Sequence, residues 1–290
     1  MSSTQTRNIG SELKNLWNEN DAVACGEDAL ALRVYSSRLI GQASDLVLHG
    51  GGNTSVKAEF SDIFDDCHEV LYVKGSGWDL ATIEAPGFAP VALDALLKLS
   101  RFDVLSDADM VRAQRAAMLD PGAPNPSVEA ILHALIPFRY VDHTHADAVV
   151  TLTNTPGGEA RVREIYGDRL LVVPYVMPGF VLAKKVAQMT EDIDWSTLEG
   201  MILMNHGIFS FADDAWESYA RMIDLVTKAE QALGEASPVA NDTAEASALE
   251  LAAIRYEVSQ AANRPLLAAF DGGVQSCGFA RRGDVKSIAT

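Results

Sequence analysis

The chain is poor in cysteine, in basic residues and in long apolar runs, and each shortage removes a class of explanation. Its three cysteines in 290 residues, Cys25, Cys67 and Cys277, are widely spaced and form no C-x-x-C pair. A disulfide framework or a cysteine zinc knuckle is therefore not expected, and a reducing cytoplasm fits. Lysine and arginine number 23 against 40 acidic residues, a formal charge of −17. That balance repels phosphate backbones and anionic lipid, so no nucleic acid and no membrane surface is expected as a partner. No run of about 18 apolar residues is available to span a bilayer. The N-terminal MSSTQTRNIGSELKNLWNEN is polar and lacks the apolar centre of a signal peptide.

What remains is an ordinary globular balance, 48% hydrophobic and 22% charged. A chain of this length buries roughly three quarters of its unfolded surface, so its core needs no structural metal. A bound metal would be there for chemistry. An anionic substrate would need a local electropositive pocket to override the global charge.

Hydrophobic periodicity predicts an amphipathic helix over Asp28–Ser44. Leu46–His49 then enters Gly50-Gly-Gly-Asn-Thr-Ser55, read as a strand, a glycine turn and a returning strand. Glu69–Lys74 reads as a strand ending in Gly75-Ser-Gly77. Helices are predicted over Asp107–Met118 and over Val128–Leu135, the latter capped by Ser127. Strands are predicted over Tyr140–His145, Leu170–Val176 and Gly200–Met204, with helices from Asp147, over Phe180–Met189 and over Ala215–Leu233. The small, polar stretch Gly234–Ala248 reads as a linker. A helix over Leu249–Asn263 and a small α/β tail from Pro265 follow it. Two parts are thus expected, 1–234 and 235–290, the first an α/β layered domain.

Two of only six histidines form His143-Thr144-His145. On a strand, residues i and i+2 share a face, so both imidazoles can converge on one cation. His206, in Asn205-His-Gly207 at a strand end, is a plausible third ligand, with Gly207 permitting the turn. Three protein ligands with one open position is the catalytic zinc pattern. An isolated H-x-H also occurs by chance, serving only surface hydrogen bonds. His133, one helical turn after Glu129, reads as structural, and His68 as part of an exposed turn. Lys74 is taken as a surface lysine. The amides of Gly51, Gly52, Gly75 and Gly77 offer either two tight turns or a concave anion nest.

Taken in order, these pieces resemble the class II aldolase/adducin family over about Asp28–Leu233. The motifs are Gly-Gly-Asn-Thr-Ser (51–55), Lys-Gly-Ser-Gly (74–77), Pro-Ser-Val-Glu (126–129), His-Thr-His (143–145), Pro-Tyr-x-x-Pro-Gly (174–179) and Asn-His-Gly (205–207). The resemblance implies a three-layer α/β/α fold around a mainly antiparallel sheet, and a homotetramer with active sites near subunit interfaces. It implies Zn2+, or another divalent ion such as Mn2+ or Co2+, on His143, His145 and His206. It makes Glu129 the catalytic acidic residue and places phosphate binding at Gly52, Asn53, Ser76, Gly77 and Ser127. The implied activity is retro-aldol cleavage of a ketose 1-phosphate to dihydroxyacetone phosphate and an aldehyde. The alternatives within the fold are an epimerase, decarboxylase or dehydratase on a related phosphorylated keto sugar, or a non-catalytic adducin-like interaction module.

More narrowly, Asp142–Asp147 and Glu164–Asp168 resemble the aldolase half of bifunctional rhamnulose-phosphate aldolase/short-chain dehydrogenase proteins. The chain carries no G-x-G-x-x-G fingerprint, so the second activity is not expected of it. Two departures stand out. Val128 occupies a position where many family aldolases carry a second serine, and the proton-donating tyrosine of a neighbouring subunit has Tyr166 as its candidate. Arg163, where the epimerase branch expects an aspartate, weighs against epimerisation.

Overall fold

The computed structural model describes residues 13–234 and 243–282, and the chain divides into two compact units after Gly234. In the first, α1 (Glu19–Ala24) precedes α2 (Ala29–Gln42), whose first turn is capped by the Asp28 carboxylate accepting from the amides of Leu30 and Ala31. A hairpin of β1 (Asn53–Ser61) and β2 (Cys67–Lys74) leads to β3 (Phe88–Ala92), α3 (Leu93–Leu99) and α4 (Asp107–Ala116). Next come α5 (Ala130–Leu135), β4 (Tyr140–Thr144), α6 (Asp147–Thr153) and α7 (Gly158–Tyr166). The unit closes with β5 (Leu170–Val173), α8 (Phe180–Met189), β6 (Gly200–Leu203), β7 (Gly207–Ala212) and the long α9 (Ala215–Leu233).

The strands form one seven-stranded sheet, ordered β3-β2-β1-β4-β7-β6-β5, in which only β5 and β6 run parallel. Alternation along each strand feeds two cores. On β6, Met201 and Leu203 join Leu96, Met110, Ile131 and Leu182 of α3, α4, α5 and α8. Ile202 turns the other way, to Ile40, Val149, Val162 and Met222 of α2, α6, α7 and α9. The chain therefore has the expected three-layer α/β/α fold around a mainly antiparallel sheet.

Several elements lie where the sequence suggests none. β7 is buried along its whole length, so it shows no alternation to reveal it. β3 sits at the sheet edge and carries Pro90, a residue that argues against a strand when read alone. The helix expected from Val128 begins instead at Ala130. Ser127 does accept a bond, from the Glu129 amide at 3.2 Å, but Glu129 itself holds the N-cap position. In the second unit, α10 (Ala248–Ala261) opens with a capping box between Ser247 and Glu250, and α11 (Val274–Ala280) follows. Its described residues contain no strand, so the expected α/β tail is helical there, and most of the expected linker, 235–242, lies outside the described residues.

A buried polar tie underlies the sheet centre. The fully buried Arg33 of α2 pairs with Asp142 of β4 at 2.6 Å. It also donates to Ser37 Oγ (3.1 Å) and the Ser55 carbonyl (3.4 Å), while Ser218 Oγ of α9 donates to the other Asp142 oxygen at 2.6 Å. Four elements are thereby fixed next to His143. Removing one partner strands a charge in the interior, which costs about 3–5 kcal/mol. Arg33→Leu is expected to lower unfolding free energy by that order in urea titrations. The double change with Asp142→Leu should cost less than Arg33→Leu alone. A loss in the double variant equal to the sum of the Arg33→Leu and Asp142→Leu losses would show that the pair is not coupled.

Candidate metal centre

The centre is built where β4 and β7 run out side by side. Their antiparallel register sets Thr144 opposite Ile208 and His143 opposite Phe209, and β1 brings Asn53 opposite His143 from the other side. His143 lies within β4, His145 just past its end, and His206 in the turn between β6 and β7. The three rings form a near-equilateral triangle, with centroids 4.9, 5.1 and 5.0 Å apart. One nitrogen from each lies within 4.8 Å of the other two.

Backbone conformation makes the approach possible. The tight turn is taken by Asn205, in the left-handed region at φ 58°, and not by Gly207 as the sequence suggests. Gly207 is needed for space: a Cβ there would sit 2.4 Å from the Thr144 carbonyl and 3.0 Å from His143 Cε1. Gly52 is constrained twice, by φ +63° and by the His143 carbonyl 2.7 Å from where a Cβ would be.

The fully buried His143 bonds through Nδ1 to the Ile208 carbonyl at 3.0 Å. A carbonyl only accepts, so Nδ1 carries the proton and Nε2 keeps its lone pair. Phe209 stacks on the ring at 4.2 Å. Burial pushes all three imidazoles below the usual histidine range, His143 furthest, and their mutual repulsion adds to the effect at His143 and His206. The nearby Glu129 partly offsets this at His145 and His206. The result favours neutral rings, the form that binds metal.

Glu129 reaches into the triangle from the start of α5. Its Oε2 lies 3.4 Å from His143 Nε2 and its Oε1 3.5 Å from His206 Nε2. His143 Nε2, His206 Nδ1 and Glu129 Oε1 are buried without a hydrogen-bond partner, an arrangement native interiors rarely tolerate. Three neutral imidazoles and a carboxylate with unspent lone pairs fit a divalent cation, and His145 supplies the exposed side.

Around this centre three loops are pinned together. Lys74 Nζ donates to the Gly50 carbonyl (3.0 Å), Ser127 N to the Lys74 carbonyl (3.1 Å) and Ser76 N to the Asn125 carbonyl (2.8 Å). Lys74 is thus a buried cation, 4% exposed, and not the surface lysine expected. Burial lowers its pKa, and its charge in turn helps lower that of His145. Ser76, Gly77 and Ser127 stand at the rim of these loops, whereas Gly52 and Asn53 are buried beneath them. The amides of Gly51 and Gly75 are committed to the carbonyls of Leu48 and Gly87, which takes two of the four out of the supposed nest. The Asn53 side chain donates to Glu129 Oε2 at 2.7 Å and bonds His133 through Oδ1. Tyr166 is no proton donor: it is buried, and its hydroxyl donates to the Leu225 carbonyl at 2.7 Å.

Sequence reasoning missed Phe209, which carries no signal of its own, and the support given by Ser55, which it met only as the end of the 51–55 motif. His133, read from the sequence as structural, is a support: it stands four positions after Glu129, a spacing that places both on one helical face. His68 is not in the expected exposed turn: it lies near the start of β2, paired with Phe60 and partly buried, and bonds Asp62 at 3.1 Å.

Comparison with known proteins gives a consistent pattern. Residues 32–233 match the class II aldolase and adducin N-terminal domain family. The uncharacterized oxidoreductase YuxG of Bacillus subtilis (strain 168) is 35% identical over 223 residues, 77% of this chain and 32% of that protein. The chain thus spans about a third of the length of this curated relative. The N-terminal class II aldolase domain of a conserved protein from Thermoplasma acidophilum is 37% identical, with a TM-score of 0.67 over 79% of this chain and 100% of that one. YgbL of Klebsiella pneumoniae, at 16% identity and a TM-score of 0.50 over 70% and 86% of the two chains, shares the fold.

Metal analysis of the purified chain is expected to find one divalent ion per chain, and His206→Ala to lose it. Saturating metal at a hundredfold excess over Kd should add about 2.7 kcal/mol to the stability of the natural chain. The variant should gain almost nothing. Equal binding by both proteins would place the ion elsewhere.

Proposed function

The chain belongs to the class II aldolase and adducin family, and from that premise we propose that it is a divalent-metal-dependent lyase cleaving a ketose 1-phosphate to dihydroxyacetone phosphate and an aldehyde. The observation that carries this reading is the carboxylate of Glu129 between His143 and His206. His143, His145 and His206 would hold the ion, and three imidazoles with an open position suit Zn2+, with Mn2+ or Co2+ as replacements. When bound, the ion supplies Lewis acidity toward negative charge developing on a substrate oxygen.

The chain's own residues do the rest. Glu129 moves a proton to or from the carbon left when the C3–C4 bond breaks, and its buried setting keeps bulk water from competing. Ser76, Gly77 and Ser127 form the rim that receives the phosphate, Gly52 lies buried beneath it, and Asn53 orients Glu129 from below. Lys74 places a positive charge close to His145 within a chain of formal charge −17. That answers the need for a local field favourable to an anionic substrate. A purely scaffolding role has no use for a carboxylate buried among three imidazoles. Epimerase, decarboxylase and dehydratase chemistry on a related phosphorylated keto sugar would use the same centre and is separated by product. The reading includes a homotetramer, as the resemblance implies. It also takes this chain as the counterpart of one portion of a longer two-activity protein.

The test is a panel of ketose 1-phosphates with coupled detection of dihydroxyacetone phosphate, run on metal-loaded protein. Glu129→Gln is expected to lower turnover by about 10²–10⁴-fold while leaving the metal in place. Full turnover in that variant would remove Glu129 from the mechanism. Substrate conversion without dihydroxyacetone phosphate would move the assignment to the alternative chemistries.

A further inference from the structure

Behind the carboxylate lies a buried chain of polar side chains that the reaction itself does not call for. Glu129 Oε2 accepts from Asn53 Nδ2 at 2.7 Å. Asn53 Oδ1 meets His133 Nε2, and His133 Nδ1 meets Ser55 Oγ at 2.8 Å. His133 and Ser55 are fully buried, and Glu129 and Asn53 are 6% and 8% exposed. Phe209 closes the edge of the His133 ring at 5.4 Å.

The direction of every bond in this chain follows from its first member. A carboxylate accepts and does not donate, so Asn53 must turn its NH2 toward Glu129. Its carbonyl oxygen then faces His133, which must place a hydrogen on Nε2. Burial among cationic neighbours holds His133 neutral, and a neutral imidazole has one N–H, so Nδ1 is an acceptor. The Ser55 hydroxyl therefore donates to it. The reverse order would set the Asn53 oxygen against the carboxylate, two acceptors with no hydrogen between them. His133 in turn is anchored through its backbone: its carbonyl, with those of Ile136 and Phe138, accepts from the Lys57 ammonium at 3.0, 2.6 and 2.7 Å.

We propose that His133 is a positioning residue: as the Nε2–H tautomer it fixes the Asn53 amide, which clamps Oε2 of Glu129 and so sets Oε2 against His143 and Oε1 against His206. Without the imidazole the Asn53 amide keeps its sense, since its oxygen cannot face the carboxylate, but it loses the partner that fixes its position, and the Glu129 carboxylate can shift relative to His143 and His206. A misplacement of this kind acts on the reacting geometry, so it lowers kcat and leaves KM and the bound ion unchanged.

The polarity of the chain stands independently of the lyase reading, and the kinetic consequence rests on it, so the experiment has two arms. Nitrogen-15 NMR of the zinc-loaded full chain, with His133 assigned by comparison with His133→Gln, is expected to show a protonated Nε2 and a bare Nδ1. The Nδ1–H tautomer, or an imidazolium, would overturn the proposal. In the second arm, on a ketose 1-phosphate cleaved by the natural chain, His133→Leu should lower kcat about ten- to a hundredfold at unchanged KM and metal content. His133→Gln, whose amide nitrogen can replace the Nε2 donor, should recover most of the loss. A Gln variant as slow as the Leu variant, or a loss seen only in KM, contradicts the positioning role. If the natural chain cleaves no ketose 1-phosphate, the lyase reading fails while the nitrogen spectrum still decides the role of His133. His133→Gln folds with the least disturbance, so the scheme survives if His133→Leu does not fold.

Discussion

Three imidazoles and one carboxylate crowd one space, in which His143 and Glu129 are too buried to be solvated normally while His145 faces solvent, and the rest of the structure exists to keep them there. Each group taken alone would relax the crowding by protonation or by turning to solvent. Here His143 cannot turn, because the Ile208 carbonyl holds its Nδ1 and Phe209 its face. Glu129 cannot turn, because Asn53 holds one oxygen. The unspent lone pairs converge on one point, which is the condition a divalent cation satisfies at least cost.

The scaffold around this point is stiff on every side. The β1–β4–β7 register fixes where Asn53, His143 and Ile208 stand relative to one another. Gly52 and Gly207 allow backbone to approach backbone where a methyl group would collide. The Arg33–Asp142 pair ties the layer of α2 and α9 to β4 from behind. Lys57 satisfies the carbonyls at the end of the short helix that carries both Glu129 and His133. Burial draws the pKa of that ammonium down to about 7, a sign of how far from water the site's foundations lie. Positions held by strands and packed helices, and not by free loops, suit a centre whose geometry must be reproducible.

Much of this was legible in the sequence, and the limits have physical causes. The His-Thr-His spacing declares a shared face because a strand repeats every two residues, and amphipathic α9 and α8 show their boundaries through helical period. β7 left no trace, since a strand buried on both faces looks like any apolar run. The helix before β4 starts two residues later than Ser127 suggests, because Ser127 caps the amide of Glu129 rather than a full helical turn. Lys74 looked like a surface residue because nothing local reveals that Gly50, distant in sequence, will cover its ammonium. His133 and Ser55 become meaningful only when β1 folds against α5, a contact between residues 78 apart in the chain. Pairwise contacts of that range are what a single sequence conceals.

The central claim is tested most directly by the anomalous scattering of a crystal of the metal-loaded protein. One strong peak is expected, bonded to a nitrogen of each of His143, His145 and His206 at about 2.0–2.1 Å, with Glu129 alongside. A peak held by other residues, or fewer than three imidazoles around the ion, would contradict the account.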